Sequence, residues 1–260
     1  MNGTLLCSGF AGRELWIYLP ASYFCQTRAY PVVYVQDGGA LFRDQLPVLE
    51  DRMRRRQLRE VIFVGVKPLD RLKEYTPWLA QALRSDYPDF GGQGQAYVSF
   101  LVEQLKPYMD TTYRTLQGAD HTGIAGASLG GLISMYAACL YPAVFGRIAV
   151  ISGSFWFQGF LAFMQSAQFE IRGQRIYMDV GADEGNGKSN IQQNMVANNK
   201  QAYAILLQKG FQDEDCCLVI EEGAQHHGAC FLRRFPYAMQ WLFPSTTSRR
   251  PEPVRRKENA

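Results

Sequence analysis

Strand-length runs almost unbroken in β-branched and aromatic residues constrain this chain more than any other feature. Val32-Val33-Tyr34-Val35 and Val61-Ile62-Phe63-Val64 leave no polar face, as expected of strands covered on both sides. The full set of predicted strands is 14–20, 31–36, 60–66, 122–127, 147–152, 174–181 and 216–221. Segments of helical period lie between them, at 93–113, 129–141, 190–210 and 229–243. In the second of these, Leu132, Ile133, Tyr136, Ala137 and Leu140 form one apolar stripe, and Pro142 ends the helix. Strands interleaved with helices predict an α/β fold, a mostly parallel central sheet with helices on both faces. No repeat and no linker interrupts residues 1–243, so a single domain is expected there.

Charge and composition remove several classes of function. With 47% apolar and 20% charged residues the chain can bury a large core, which excludes a disordered or low-complexity protein. The net charge is +3, and the seventeen residues from Pro244 hold five basic and two acidic side chains, which accounts for all of it. A neutral body argues against nucleic acid as partner, because such binding rests on neutralising phosphates. The basic tail 244–260, with Pro251 and Pro253 blocking a helix, is expected to be solvated and disordered. The run of Arg52, Arg54, Arg55, Arg56 and Arg59 reads as one solvated helix face. No stretch approaches the ~20 apolar residues of a membrane span, so no membrane association is expected. Met1 to Phe10 lacks the basic start and apolar run of a signal peptide. That points to the cytoplasm, or to the periplasm if a native leader precedes this sequence. The six cysteines show neither C-x-x-C pairs nor metal spacing, and no metal site is expected. Cys139, Cys216 and Cys217 sit in apolar segments and read as buried free thiols.

The sharpest motif is Gly126-Ala127-Ser128-Leu129-Gly130, followed by Gly131. Composition alone supplies a G-x-S-x-G match in about one such chain in ten, so context decides its meaning. Here an apolar strand enters the motif and an amphipathic helix leaves it, as a nucleophile elbow requires. A serine nucleophile needs a base, and there are three histidines. His121 precedes the same strand and falls at the opposite end of the sheet. His226 and His227 follow the strand 216–221 and reach the correct edge, where only one of two adjacent residues can face the serine. The acid that orients the base is expected in the loop after strand 174–181, where Asp183 and Glu184 are both candidates. Asp179 lies inside that strand, and Asp213, Glu214 and Asp215 precede the next one. For the oxyanion, Leu129 offers a backbone amide, and Asp37-Gly38-Gly39-Ala40 is placed to offer a second. Two Pro-, Gly- and aromatic-rich stretches, 67–94 and 153–173, are expected to form walls or lids of a pocket.

With these residues in place the chain resembles the esterase D-type "putative esterase" branch of the α/β-hydrolases, and within it the trilactone siderophore esterases. The resemblance runs in order through the segment from Gly12 to Pro20, Tyr34-Val35-Gln36-Asp37-Gly38, Glu74-Tyr75-Thr76-Pro77-Trp78 and the segment from Pro107 to Thr115. It continues through the elbow, Ser152-Gly153-Ser154-Phe155-Trp156 and Glu222-Gly223-Ala224-Gln225-His226. It implies a single-domain α/β-hydrolase fold, with His226 as base and Glu184 as acid, Asp183 being the alternative. It also implies Gly39 as the second oxyanion amide beside Leu129. The short N-terminus departs from the family and is expected to lack its first strand. Arg71 matches an arginine of similar siderophore esterases and is expected to hold an anionic or catechol group, with Trp78, Phe155 and Trp156 as an aromatic wall.

The function implied is that of a serine carboxylic-ester hydrolase working through an acyl-enzyme, without metal or organic cofactor. Its expected substrate is a small-molecule ester, a siderophore trilactone or its linear pieces, free or as the ferric complex. Feruloyl, acetyl and S-formylglutathione esters are the alternatives within the same chemistry. An acyltransferase on the same fold is a different class, and a catalytically dead binding protein is a third.

Overall fold

A computed structural model describes residues 2–167 and 173–245. Its main sheet has eight strands: β1 (Thr4–Phe10), β2 (Arg13–Leu19), β3 (Val32–Val35), β4 (Ile62–Val66), β7 (Thr122–Ala127), β8 (Arg147–Ile151), β9 (Arg175–Gly181) and β10 (Cys216–Glu221). The short strands β5 (Leu79–Ala80) and β6 (Phe90–Gly91) pair with each other apart from it. The order across the main sheet is β1-β2-β4-β3-β7-β8-β9-β10. From β4 to β10 every pairing is parallel, while β1–β2 and β2–β4 are antiparallel. Chain order reverses direction around β3, so the crevice between the carboxyl ends of β3 and β7 is the topological switch point where such sheets bind ligands.

The runs read as two-faced strands are buried along their whole length in β3, β4, β7 and β9. Alternate residues feed two cores. Tyr34, Val64, Ile124, Val150 and Met178 pack on one face under α6 (Leu129–Leu140), with α8 (Met195–Gln208) beside it. Val35, Phe63, Ala125 and Tyr177 pack on the other under α9 (Gly228–Leu242) and α2 (Leu46–Arg54). The segment predicted as one helix over 93–113 is α4 (Gly94–Phe100), a π-helical stretch (Leu101–Leu105) and α5 (Lys106–Thr112) in continuous succession.

Two expectations are corrected. A first strand is present: Thr4–Phe10 forms β1, folded back on β2 through Ala11 and Gly12, both at positive φ. Only alternate residues of β1 are half-buried, among them Leu6 and Phe10 against the core. The arginine run is not one solvated face. Arg52 lies over the Tyr237 ring at 4.1 Å and donates to the Pro236 carbonyl (3.2 Å) and to Gln240, pinning α2 to α9. The stretches 67–94 and 153–173 hold ordered elements, α3 (Arg71–Glu74) with the β5–β6 pair in the first and α7 (Phe160–Ser166) in the second. The tail beyond Ser245, expected to be disordered, lies outside the described residues. Among the described residues all six cysteines are free, with Cys139, Cys216 and Cys217 buried, and no helix is long and apolar enough to cross a membrane.

Candidate active site

Three adjacent parallel strands end in the same unusual way. Asp37, Ser128 and Ser152 follow β3, β7 and β8, and their φ values are 56°, 58° and 49°. Left-handed backbone at a non-glycine residue costs of order 1–3 kcal/mol, and it persists only where surrounding packing imposes it. At Ser128 the cause is visible. A Cβ on Gly126 would lie 2.4 Å from the Gly130 backbone, and one on Gly131 would lie 3.2 Å from the Gly126 carbonyl. The glycines let strand and helix approach closely enough to force the turn between them, and the serine is thrust out at its apex.

Ser128 Oγ lies 3.0 Å from His226 Nε2, and His226 Nδ1 lies 2.7 Å from Glu184 Oε2. The two candidate histidines therefore separate by role. His226 faces the serine with its side chain 32% exposed. His227 caps α9, its Nδ1 accepting from the Ala229 amide at 3.2 Å. The two acids separate likewise: Glu184 is buried against the imidazole, whereas Asp183 binds the Asn186 amide at 3.2 Å on the loop's outer side. His121 sits in the turn preceding β7, at the other end of the sheet from Ser128.

Burial alone would push the Glu184 carboxyl up, but hydrogen bonds from His226, Ser152 and the Gly181 amide outweigh it and hold the group below its ordinary range. An ionised carboxylate bonded to Nδ1–H leaves Nε2 free to accept the serine proton. The array can thus make a hydroxyl nucleophilic and store its proton during acyl transfer. No group of three or more His, Cys, Asp or Glu among the described residues is placed to hold a metal ion.

The oxyanion elements are split. Leu129 is the first residue of α6, so its N–H has no intrahelical acceptor and points from the positive end of the helix. Gly39 is corrected: its N–H donates to the Gln36 carbonyl at 3.0 Å, closing a tight turn. It must be glycine because φ is +75° and a Cβ would meet the Phe42 ring and Gly65. Arg71 stands at the site, but its guanidinium grips Asp37 through two bonds of 2.7 and 3.1 Å. Its position beside the Ala127 carbonyl joins the β3 loop to the elbow.

The segment Glu74-Tyr75-Thr76-Pro77-Trp78 braces the same loop. Glu74 forms a buried two-bond pair with Arg13 at 2.7 and 2.8 Å, and the Tyr75 hydroxyl accepts from the Asp37 amide at 2.8 Å. Trp78 donates to the Gln158 carbonyl at 2.8 Å and packs on Phe157, Phe160 and Phe163, which fastens the first pocket stretch to the second. Trp156 is only 6% exposed and packs against Phe90, and Phe155 is buried on Phe160, so both belong to the core rather than to an open wall.

Sequence reasoning missed three polar residues here. Ser154 places its buried hydroxyl 3.2 Å from Ser128 Oγ. Ser152 and Arg234 both bind Glu184. Arg234 carries no local signal, because an arginine within a helix reads as surface. Ser152 and Ser154 did fall in a segment that resembles the family.

Known proteins bear on this arrangement. A family model described as "Putative esterase" matches residues 12–242. The uncharacterized protein YbbA of Bacillus subtilis (strain 168) is 38% identical over 248 residues, which is 95% of this chain and 99% of that protein. The IroE-like serine hydrolase from Shewanella oneidensis superposes with a TM-score of 0.76 at 20% identity, over 93% of this chain and 80% of that one. The enterobactin esterase FES from Shigella flexneri, crystallised in the presence of 2,3-dihydroxy-N-benzoyl-glycine, superposes with a TM-score of 0.71 at 20% identity. The match covers 93% of this chain and 59% of the Shigella protein, so the chain spans less than two thirds of that relative. At this identity the two structures speak to the fold, a mostly parallel sheet of the α/β-hydrolase type.

Proposed function

Because the chain belongs to the esterase family whose model spans residues 12–242, we propose that it cleaves carboxylic esters through a serine acyl-enzyme. The observation that carries this is the unbroken relay Ser128–His226–Glu184, with both contacts at 3.0 Å or less. Ser128 Oγ bonds to the ester carbonyl carbon while its proton passes to His226 Nε2. The oxygen that becomes negative is met by the Leu129 amide at the N-terminus of α6. Collapse of the tetrahedral intermediate breaks the ester C–O bond, and the departing alkoxide takes the proton from His226. Water then attacks the acyl-enzyme, yields a proton to the same nitrogen, and Ser128 recovers it as the acid leaves.

The substrate we propose is a siderophore trilactone or its linear pieces. Support comes from the segment Glu74-Tyr75-Thr76-Pro77-Trp78, which resembles that branch, and from the fold shared with an enterobactin esterase. Arg71, its side chain 38% exposed at the edge of the site, is the cation assigned to an anionic or catecholate group. Residues 1–243 would act as one catalytic domain, working in the cytoplasm. The test is chromatographic. Incubation with iron-free and iron-loaded enterobactin should open the trilactone to linear trimer, dimer or monomer, and Ser128→Ala should abolish this. Survival of the trilactone beside cleavage of methyl ferulate would remove the siderophore assignment and leave the ester hydrolase.

A further inference from the structure

We infer that Arg234 is a positioning residue of the proton relay, fixing Glu184 as an ionised and correctly turned acceptor for His226. The inference rests on the serine-hydrolase reading of the same site and deepens it. Arg234 extends from α9 into the space below the relay, with its side chain 5% exposed. Nη1 lies 2.9 Å from Asp179 Oδ1, and Nη2 lies 3.2 Å from Glu184 Oε1 and 2.9 Å from Ser152 Oγ. Nε donates to the Cys230 carbonyl at 3.1 Å and stands 3.5 Å from Glu221 Oε2. One buried cation thus serves three carboxylates, from β9, the loop after it and β10.

Two consequences follow. The first is geometric. Glu184 Oε1 is held by the Gly181 amide, the Ser152 hydroxyl and Arg234, which leaves Oε2 for the imidazole and permits one orientation of the carboxyl. The second is electrostatic. Carboxylates this close in a dry environment cannot all stay ionised without a cation. Burial raises the Asp179 pKa to about 7; Arg234 opposes that rise, and Glu184 and Glu221 add to it. As pH falls through about 7 the surplus proton of the cluster therefore goes to Asp179, and Glu184 stays charged.

Other ionisable groups face the same space. Tyr177 on β9 and Cys217 on β10 are pushed upward by burial and remain neutral at pH 7. Arg233 is on the outer side and pairs with Glu221 Oε1 at 2.8 Å. His226 is the partner already described. With Arg234 removed, the carboxylates lose their shared cation and bind a further proton, for which Glu184 competes. A protonated Glu184 no longer accepts from Nδ1–H as a carboxylate.

The experiment measures kcat and KM for a p-nitrophenyl ester from pH 5 to 9. The proteins compared are wild type, Arg234→Met, Arg234→Lys, Asp179→Asn/Arg234→Met and Ser128→Ala. Arg234→Met should lose about 10- to 100-fold in kcat at pH 7 with KM within about twofold. Its acid limb should move up by about one pH unit. Arg234→Lys, which keeps the charge and loses the fork, should leave the limb in place with an intermediate kcat. Asp179 is already protonated across that limb, so the double variant should keep the raised limb of Arg234→Met. An Arg234→Met profile of unchanged shape, or a uniform loss at every pH, would overturn the inference. If Arg234→Met does not fold, Arg234→Lys and the double variant decide, since a raised limb in the first or an unmoved limb in the second contradicts the account. Full activity in Ser128→Ala would remove the serine reading itself, separately from any result at Arg234.

Discussion

Glu184 Oε2 lies 2.7 Å from His226 Nδ1, across 42 residues of chain, and Glu184 Oε1 is simultaneously closed off by the Gly181 amide, the Ser152 hydroxyl and Arg234. Enclosure therefore selects which of the two neighbouring acids meets the imidazole. Asp183 is next in the chain and also carries a carboxylate, but it lies outside the enclosure and binds Asn186.

Exchange of the two acids should separate them. Glu184→Gln is expected to lower kcat on a simple ester by about 10²- to 10⁴-fold, because Nδ1 loses the carboxylate that holds its tautomer. Asp183→Ala should stay within about threefold of wild type. Steady-state kinetics of the two variants at pH 7.5 check this.

Asp179 predicts an opposite pH effect on stability to the usual one for a carboxylate. Its folded-state pKa is raised from 3.8 to about 7, chiefly by burial. Between those values the native state binds more protons than the unfolded chain, so stability contributed at low pH is lost as pH rises through 7. Asp179→Asn, which cannot ionise, should gain in Tm relative to wild type as pH rises from about 5 to 8. Calorimetric Tm series for the two proteins check the sign.

The neighbouring histidines should part under substitution. His227→Ala removes the cap of α9 and is expected to cost about 1 kcal/mol in denaturant unfolding while kcat remains near wild type. His226→Ala should lose activity by several orders of magnitude with little change in unfolding free energy.

The elbow glycines are steric. Gly126→Ala places a methyl 2.4 Å from the Gly130 backbone, which is not a flexible neighbour. A loss of about 2–3 kcal/mol is expected, with activity falling as the turn is displaced. Urea unfolding monitored by far-UV circular dichroism measures it.

What could be read in advance follows from how local each signal is. Continuous apolar strands announce a covered sheet, because Val32-Val33-Tyr34-Val35 leaves no polar face to turn to solvent. Ser128 announces itself through glycines that share its turn. β1 gave no such signal, since an edge strand in an antiparallel hairpin buries only alternate residues, and only partly. Gly39 misled because a glycine required for packing has the same appearance in sequence as one required for approach to substrate. Trp156 and Phe155 misled likewise, since aromatic residues near a sheet edge serve core and pocket alike. Arg234, Asp179 and Ser152 were invisible as a group, because only the packing of α9 on the carboxyl ends of β8, β9 and β10 brings their charges together.

The most direct test of the account concerns the nucleophile. The protein is treated with a fluorophosphonate and analysed by intact mass and peptide mapping, beside Ser128→Ala and His226→Ala. The account predicts one adduct per chain on the peptide holding Ser128, none in Ser128→Ala and greatly slowed labelling in His226→Ala. An adduct mapped to another residue, or ester hydrolysis undiminished in Ser128→Ala, would contradict it.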